Sequence, residues 1–262
     1  MRNTEPLLKI SGVSRRFGGL MALRDLDFSV HRGEIVGLIG PNGAGKTTAF
    51  NVVTGTIPPS SGEVSYNGQR ISGLPPSRVV VAGLARTFQA TSTYPGETTA
   101  SNIYRGMLPR IKESMVGPVT GRHHRDLPIG QVQDEIDRIL EITDLKRWAH
   151  AEAGSLPYGL QKKLGIAVAL ATKPTMLLLD EPAAGLNHEE CNELARLLRR
   201  LRDDHGLTLL LVEHHMALVM ELCQRIVVLV QGQKIAEGTP EEIRNHPAVI
   251  EAYLGAPDYA HA

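Results

Sequence analysis

Gly40-Pro41-Asn42-Gly43-Ala44-Gly45-Lys46-Thr47-Thr48 is the stretch that decides the fold. It fits the pattern G-x-x-x-x-G-K-[ST]. The apolar run Ile35-Val36-Gly37-Leu38-Ile39 precedes it and reads as a buried strand, and Thr47 to Thr54 reads as the start of a helix. Strand, loop and helix in that order are the context the pattern requires. Glycines let the backbone turn so that successive N–H groups face an anion. The helix N-terminus adds partial positive charge. Lys46 is then placed to reach the β- and γ-phosphates of a nucleotide, and the Thr47 hydroxyl to ligate Mg²⁺. A glycine-rich turn with no ligand is the plainer alternative, and the three-part context argues against it.

Working outward, the 262-residue chain is long enough for one large domain with a subdomain. Lys+Arg and Asp+Glu both number 28, so the formal net charge is zero. A chain that tracks nucleic acid usually carries a basic excess or stripe. The Arg196, Arg199, Arg200 and Arg202 cluster shares a helix with Glu189, Glu190 and Glu193 and reads as a solvated face. Cys191 and Cys223 lack C-x-x-C spacing, which fits a reduced, cytosolic chain. The N-terminus lacks a signal-peptide apolar core, and no apolar run approaches a bilayer span. Any membrane role is expected to come through a partner.

Residues 7–36 alternate apolar and polar positions and read as antiparallel strands. Gly62 to Gly68 reads as a strand entering an Asn-Gly turn. A helical pattern covers residues 75–84, and a proline- and glycine-rich surface insert covers 108–130. His123-His124 within the insert has no third ligand at useful spacing. Val132, Ile136, Ile139 and Leu140 predict an amphipathic helix over 131–147, and Leu160 to Ala171 a second. Strands at Met176–Leu179, Thr208–Val212 and Ile226–Leu229 then alternate with helices at Glu189–Asp204 and Met216–Leu222. That alternation predicts an α/β fold with a mostly parallel sheet.

Met176-Leu177-Leu178-Leu179-Asp180-Glu181 is an apolar strand ending in two acids. Ligands of open α/β sheets sit at the carboxyl edge of such strands. Asp180 is placed to bind Mg²⁺, and Glu181 to polarise a water against the γ-phosphate.

With these residues the chain resembles the ATP-binding subunits of ABC transporters, over about residues 7 to 256. The resemblance implies a P-loop, RecA-like sheet with an antiparallel β subdomain and a helical signature subdomain. It implies one nucleotide-binding domain over 1–262. The ATP-binding core falls at about 7–90 and 165–237, the helical subdomain at about 91–164, and a C-terminal helical tail at about 238–262. Gln89, in Arg86-Thr87-Phe88-Gln89, matches the Q-loop glutamine that contacts Mg²⁺ and the attacking water. Leu156-Pro157-Tyr158-Gly159-Leu160-Gln161 sits where the signature L-S-G-G-Q belongs, and acts on the partner subunit's ATP. Ala183-Ala184-Gly185-Leu186-Asn187 matches the D-loop, and His214 the switch histidine. Phe17 sits where the family stacks an aromatic on adenine. His215 reads as a neighbour of the switch.

Three departures stand out. Pro157 replaces the signature serine, and Leu160 the glutamine after the second glycine. Proline suits the first turn of a helix, so backbone N–H groups can still face the phosphate, with a weaker grip. Asn187 replaces the usual D-loop Asp, which puts that contact in doubt.

Arg16-Phe17-Gly18-Gly19-Leu20, Asp180 to Asn187, His214 to Met220 and the tail from Gly238 resemble branched-chain amino-acid importer ATPases of the LivG type. That resemblance implies ATP and Mg²⁺ as cofactors and two transmembrane permease subunits. It also implies a sister ATPase or a second copy, an extracytoplasmic binding protein acting indirectly, and no nucleic acid. The expected place is the cytoplasmic face of a bacterial inner membrane. Urea or amide uptake and lipopolysaccharide export are alternative transport roles. A non-transport ABC ATPase and a small-molecule kinase with the same loop remain as rivals from other classes.

Overall fold

The computed structural model describes residues 5–87, 93–111 and 129–254. Contacts divide the chain into two units, Met1–Arg86 with Thr175–Ala262, and Thr87–Pro174.

The first unit opens with the antiparallel pair β1 (Leu8–Phe17) and β2 (Leu20–Val30). Leu8, Ile10 and Val13 of β1 are buried while intervening positions are more open, the mark of a sheet covered on one face. β3 (Ile35–Ile39) is buried at every position, as a strand covered on both faces must be. It feeds the phosphate-loop sequence and then α1 (Lys46–Val53). β4 (Ser61–Tyr66) and β5 (Gln69–Arg70) meet at Asn67 (φ 50°) and Gly68 (φ 73°), a turn with two left-handed residues as Asn-Gly favours. α2 (Pro76–Ala82) has proline in its first turn and stops at Gly83 (φ 109°). The chain then enters β6 (Leu84–Arg86), an edge strand absent from the sequence reading.

The second unit is built on α3 (Thr99–Met107), α4 (Val132–Ile142) and α5 (Tyr158–Ala171). Its core gathers Ile103, Met107, Ile136, Ile139, Leu140 and Leu164. Gly106 lets α3 approach α5, since a Cβ there would lie 2.5 Å from the Val168 carbonyl oxygen. The helix expected over 131–147 ends five residues early. Asp144 turns left-handed (φ 59°), the Leu145 N–H donates to Leu140 O at 2.8 Å, and the Asp144 N–H donates to Glu141 O at 3.2 Å. That is a Schellman stop with aspartate in place of glycine. Residues Lys146–Trp148 form a separate 3₁₀ turn. The expected boundary at 164 falls inside α5, which is continuous and lies wholly in this unit.

The chain returns to the first unit with β7 (Met176–Asp180), α6 (His188–Asp203), β8 (Thr208–Val212), α7 (Met216–Leu222), β9 (Arg225–Val230) and β10 (Gln233–Gly238). α8 (Pro240–Arg244) and α9 (Pro247–Leu254) follow. One sheet has four strands in the order β2-β1-β4-β5 and is antiparallel. The other has six in the order β10-β9-β3-β8-β7-β6, parallel except for β10. Apolar residues of both sheets and of α1 share one core. In the six-stranded sheet Leu38 pairs with Val212 and Val212 with Asp180. β3, β8 and β7 therefore end level, and the three loops that follow them leave from one edge. No helix among the described residues is long and apolar enough to cross a membrane.

Candidate active site

The loop after β3 depends on two glycines. A Cβ on Gly40 (φ 154°) would lie 2.1 Å from the Leu229 carbonyl oxygen, and one on Gly45 (φ 102°) 2.7 Å from that of Ala22. The Ala44 N–H donates to Pro41 O at 3.1 Å, and Ala44 O accepts the Gly232 N–H at 2.9 Å, which fastens the loop to the β9–β10 turn. α1 begins directly after Gly45 with no side chain capping its first turn. α6 and α8, by contrast, carry full capping boxes. An uncapped helix start leaves backbone N–H groups available to an anion. Lys46 is 6% exposed and donates its ammonium to Gly40 O at 2.6 Å and Pro41 O at 3.1 Å. Burial pulls its pKa below the ordinary lysine value, while the nearby Glu181 and Asp180 carboxylates push it back up.

β7 delivers the two acids to different places. Asp180 is 3% exposed, and its Oδ2 accepts Arg86 Nη2 at 2.5 Å. Arg86 Nη1 donates to Asn51 Oδ1 of α1 at 2.6 Å. Asp180 Oδ1 is buried with no hydrogen-bond partner among the described residues. A buried, unpartnered carboxylate oxygen is costly. A carboxylate oxygen of this kind, like the Thr47 hydroxyl at the head of α1, is a hard donor of the type Mg²⁺ prefers.

Glu181 takes a left-handed backbone (φ 47°), uncommon for a non-glycine residue. Its N–H donates to Val212 O at 2.8 Å, and its Oε1 meets His214 Nε2 at 2.8 Å. Strain of this kind concentrates at functional positions.

Glu181 and His214 open into a pocket of about 580 Å³ lined also by Asn42 to Thr48, Phe17, Leu20, Met21, Ala22, Arg24 and Gln231. Phe17 ends β1, is 44% exposed, and has the Arg15 guanidinium 4.6 Å from its ring centre. Gly40 and Pro41 do not line this pocket; their carbonyls hold Lys46.

The other expected positions divide as follows. Ala183, Ala184, Gly185 and Leu186 form the turn after Glu181, with the Ala184 N–H on Glu181 O at 3.2 Å and the Leu186 N–H on Ala183 O at 3.1 Å. Asn187 caps α6: its Oδ1 accepts the Glu190 N–H at 3.0 Å, and Glu190 Oε2 accepts the Asn187 N–H at 2.9 Å. Asparagine caps as well as aspartate does. His215 caps α7, with Nδ1 accepting the Leu218 N–H at 3.4 Å. In the second unit Leu156 is buried, Pro157 is the N-cap of α5, and Tyr158, Gly159, Leu160 and Gln161 form its first turn. Gln161 Nε2 donates to Leu156 O at 2.8 Å. Gln89 and the His123-His124 pair lie outside the described residues.

Sequence reasoning gave no role to Glu213 or Arg86, both of which bind site residues. For Glu213 a signal existed: it is an acid directly following a fully buried strand, as Glu181 is.

The ABC transporter family profile matches residues 23–184, and the profile of branched-chain amino acid ATP-binding cassette transporters matches 233–259. The high-affinity branched-chain amino acid transport ATP-binding protein BraF of Pseudomonas aeruginosa is 40% identical, over 96% of this chain and 99% of its own. LivG of Escherichia coli K12, described in the same words, is 41% identical over the same shares. A nucleotide-free ATP-binding cassette from an ABC transporter superposes with a TM-score of 0.83 at 29% identity, covering 96% of this chain and all of the other. An ADP-conformation cassette does so at 0.83 and 28%. The loop, the paired carboxylates and the histidine thus sit in a chain that belongs to the ABC transporter family, among its ATP-binding subunits.

Proposed function

We propose that this chain hydrolyses ATP in the loop–carboxylate pocket and thereby drives uptake of branched-chain or related amino acids through two transmembrane permease subunits. The observation that carries the chemistry is the 2.8 Å contact between His214 Nε2 and Glu181 Oε1 at the mouth of the phosphate loop. The similarity to BraF and LivG over nearly the whole chain supports the cargo class.

Lys46 exchanges the Gly40 and Pro41 carbonyls for phosphate oxygens, and the Asn42–Thr48 backbone surrounds the β-phosphate. Phe17 stacks on the adenine; base–aromatic stacking is worth about 1–3 kcal/mol. Asp180 Oδ1, the Thr47 hydroxyl and Gln89 are the groups that hold Mg²⁺, which when bound neutralises charge on the phosphate oxygens. Glu181 orients and deprotonates the attacking water. His214 holds Glu181 in place and donates toward the γ-phosphate.

Leu156 to Gln161 act on the ATP of a partner cassette, a sister subunit or a second copy, and Ala183 to Asn187 face that partner. Closing and reopening of the pair biases the permeases between two states. An extracytoplasmic binding protein selects the cargo, and the chain works from the cytoplasmic face of the inner membrane. The zero net charge agrees with a role away from nucleic acid.

The test is affinity purification of the tagged chain from detergent-solubilised native membranes, paired with leucine uptake. Two polytopic subunits and a similar ATPase should co-purify. Uptake should be lost on deletion and restored by the wild type but not by Glu181→Gln. Co-purification of ribosomes or DNA, or unchanged leucine uptake, would overturn the assignment.

A further inference from the structure

Glu213 follows β8 directly and is 3% exposed. No Lys or Arg pairs with it among the described residues. Its partners are three backbone donors from two segments. Oε1 accepts the Ala183 N–H at 2.6 Å. Oε2 accepts the His214 N–H at 3.0 Å and the His215 N–H at 3.3 Å. The first donor belongs to the turn that carries Glu181, and the other two to the loop that carries His214. Burial raises the Glu213 pKa, the three N–H bonds pull it down, and the Glu181 charge adds to the rise.

A buried carboxylate without a cation is an expensive way to fill space. Its two oxygens nevertheless do what no hydroxyl or single amide does: each serves a different segment. We propose that Glu213 is a positioning residue that locks the turn after β7 to the loop after β8 and so sets the His214–Glu181 contact. Glu213 does not itself line the pocket, and its hydrogen bonds reach no position assigned to nucleotide, so it acts through His214 and the turn that carries Glu181. Because Ala183 also opens the Ala183–Asn187 segment, the same carboxylate ties the switch histidine to the part of the chain assigned to face a partner. This inference rests on the ATPase reading above.

The experiment uses Glu213→Gln in the full chain, purified with its membrane partners. Glutamine keeps the shape but turns one oxygen into an NH₂ that faces a backbone N–H. A space-filling role would tolerate it. Positioning predicts that kcat for ATP falls by at least about tenfold while the ATP Kd stays within about threefold. In a His214→Ala background, the same change should lower kcat by less than about twofold, since residues acting as a unit are not additive. A kcat near wild type, or the same loss in both backgrounds, overturns the proposal.

Amide hydrogen exchange on the wild-type chain needs no variant: the Ala183, His214 and His215 N–H groups should be protected together. Fast exchange at these three refutes the lock even if Glu213→Gln does not fold. A wild-type complex that fails to hydrolyse ATP would count against the ATPase reading, while the exchange measurement still decides the part played by the carboxylate.

Discussion

Replacing Arg86 by methionine strands a buried charge. The Arg86–Asp180 pair has side chains only 9% and 2% exposed, so solvent screening offers no relief. Removing one partner of such a pair costs about 3–5 kcal/mol, because the remaining carboxylate stays desolvated. Asn51 Oδ1 also loses its donor, and Phe50 loses the guanidinium 5.6 Å from its ring centre. Against a total stability of about 5–15 kcal/mol, that is a large share. For a chain of this size it corresponds to a Tm lower by about 6–20 °C. Far-UV circular dichroism is the suitable readout: the single tryptophan, Trp148, lies in the second unit and would report on the wrong one. Adding Asp180→Asn should recover most of the loss, since the stranded charge is then gone. An Arg86→Met chain within about 1 kcal/mol of wild type, the range of an exposed pair, would refute the reasoning. So would a double variant no more stable than the single one.

Lys46→Met should not lower the Tm of the nucleotide-free chain, yet should abolish the Tm rise caused by ATP. Burial holds the Lys46 pKa below its unfolded value, so the folded state disfavours the ammonium, and this penalty is full below the lowered pKa. Wild-type stability should therefore gain on the variant as pH rises through the lowered pKa toward 10.5, and a gap that widens instead would reverse the assignment. Glu181→Gln should bind ATP with little change and release phosphate at least about 100-fold more slowly, as loss of a general base implies; wild-type turnover would remove Glu181 from that role. Pro157→Ser adds a hydroxyl at the start of α5, and a hydrogen bond to a charged phosphate, worth about 1.5–3 kcal/mol, should tighten ATP-driven pairing by about tenfold or more. Equal dimer affinity by analytical ultracentrifugation would mean the backbone donors suffice.

What could be read without coordinates was whatever depends on residue type at fixed spacing. Gly40, Gly45 and Lys46 follow from the backbone path and charge that a phosphate demands. Asp180 ends one apolar strand and Glu181 follows it, while His214 lies two residues past another, all at the sheet edge where ligands of such folds sit. Roles that exist only across the fold were hidden. Arg86 looks like an ordinary charge until β6 is seen to lie beside β7. Glu213 stands next to a more conspicuous histidine, and nothing local says that its oxygens reach Ala183. β6 has three residues, too few to carry a period, and β10 alternates too weakly to declare an edge strand. The stop of α4 was missed because Asp144 does the work usually left to glycine. Asn187, a departure from the D-loop pattern, is an ordinary helix cap in local terms.

The three loops of the site come from strands that are neighbours in space but distant in sequence: β3, β8 and β7. Their level ends, set by Leu38, Val212 and Asp180, fix where each loop begins. Strand register alone would leave the loops free beyond that point. Each is therefore tied to something else: Ala44 O to the Gly232 N–H, the Glu181 N–H to Val212 O, and Glu213 to both Ala183 and His214. Two of these ties run backbone to backbone and survive almost any side-chain replacement. Glu213 is the exception, a single side chain on which the relative placement of base and histidine depends. If catalysis needs those two groups within a few tenths of an ångström of their working positions, as general-base geometry requires, sensitivity to distant substitution should concentrate there rather than spread evenly around the pocket.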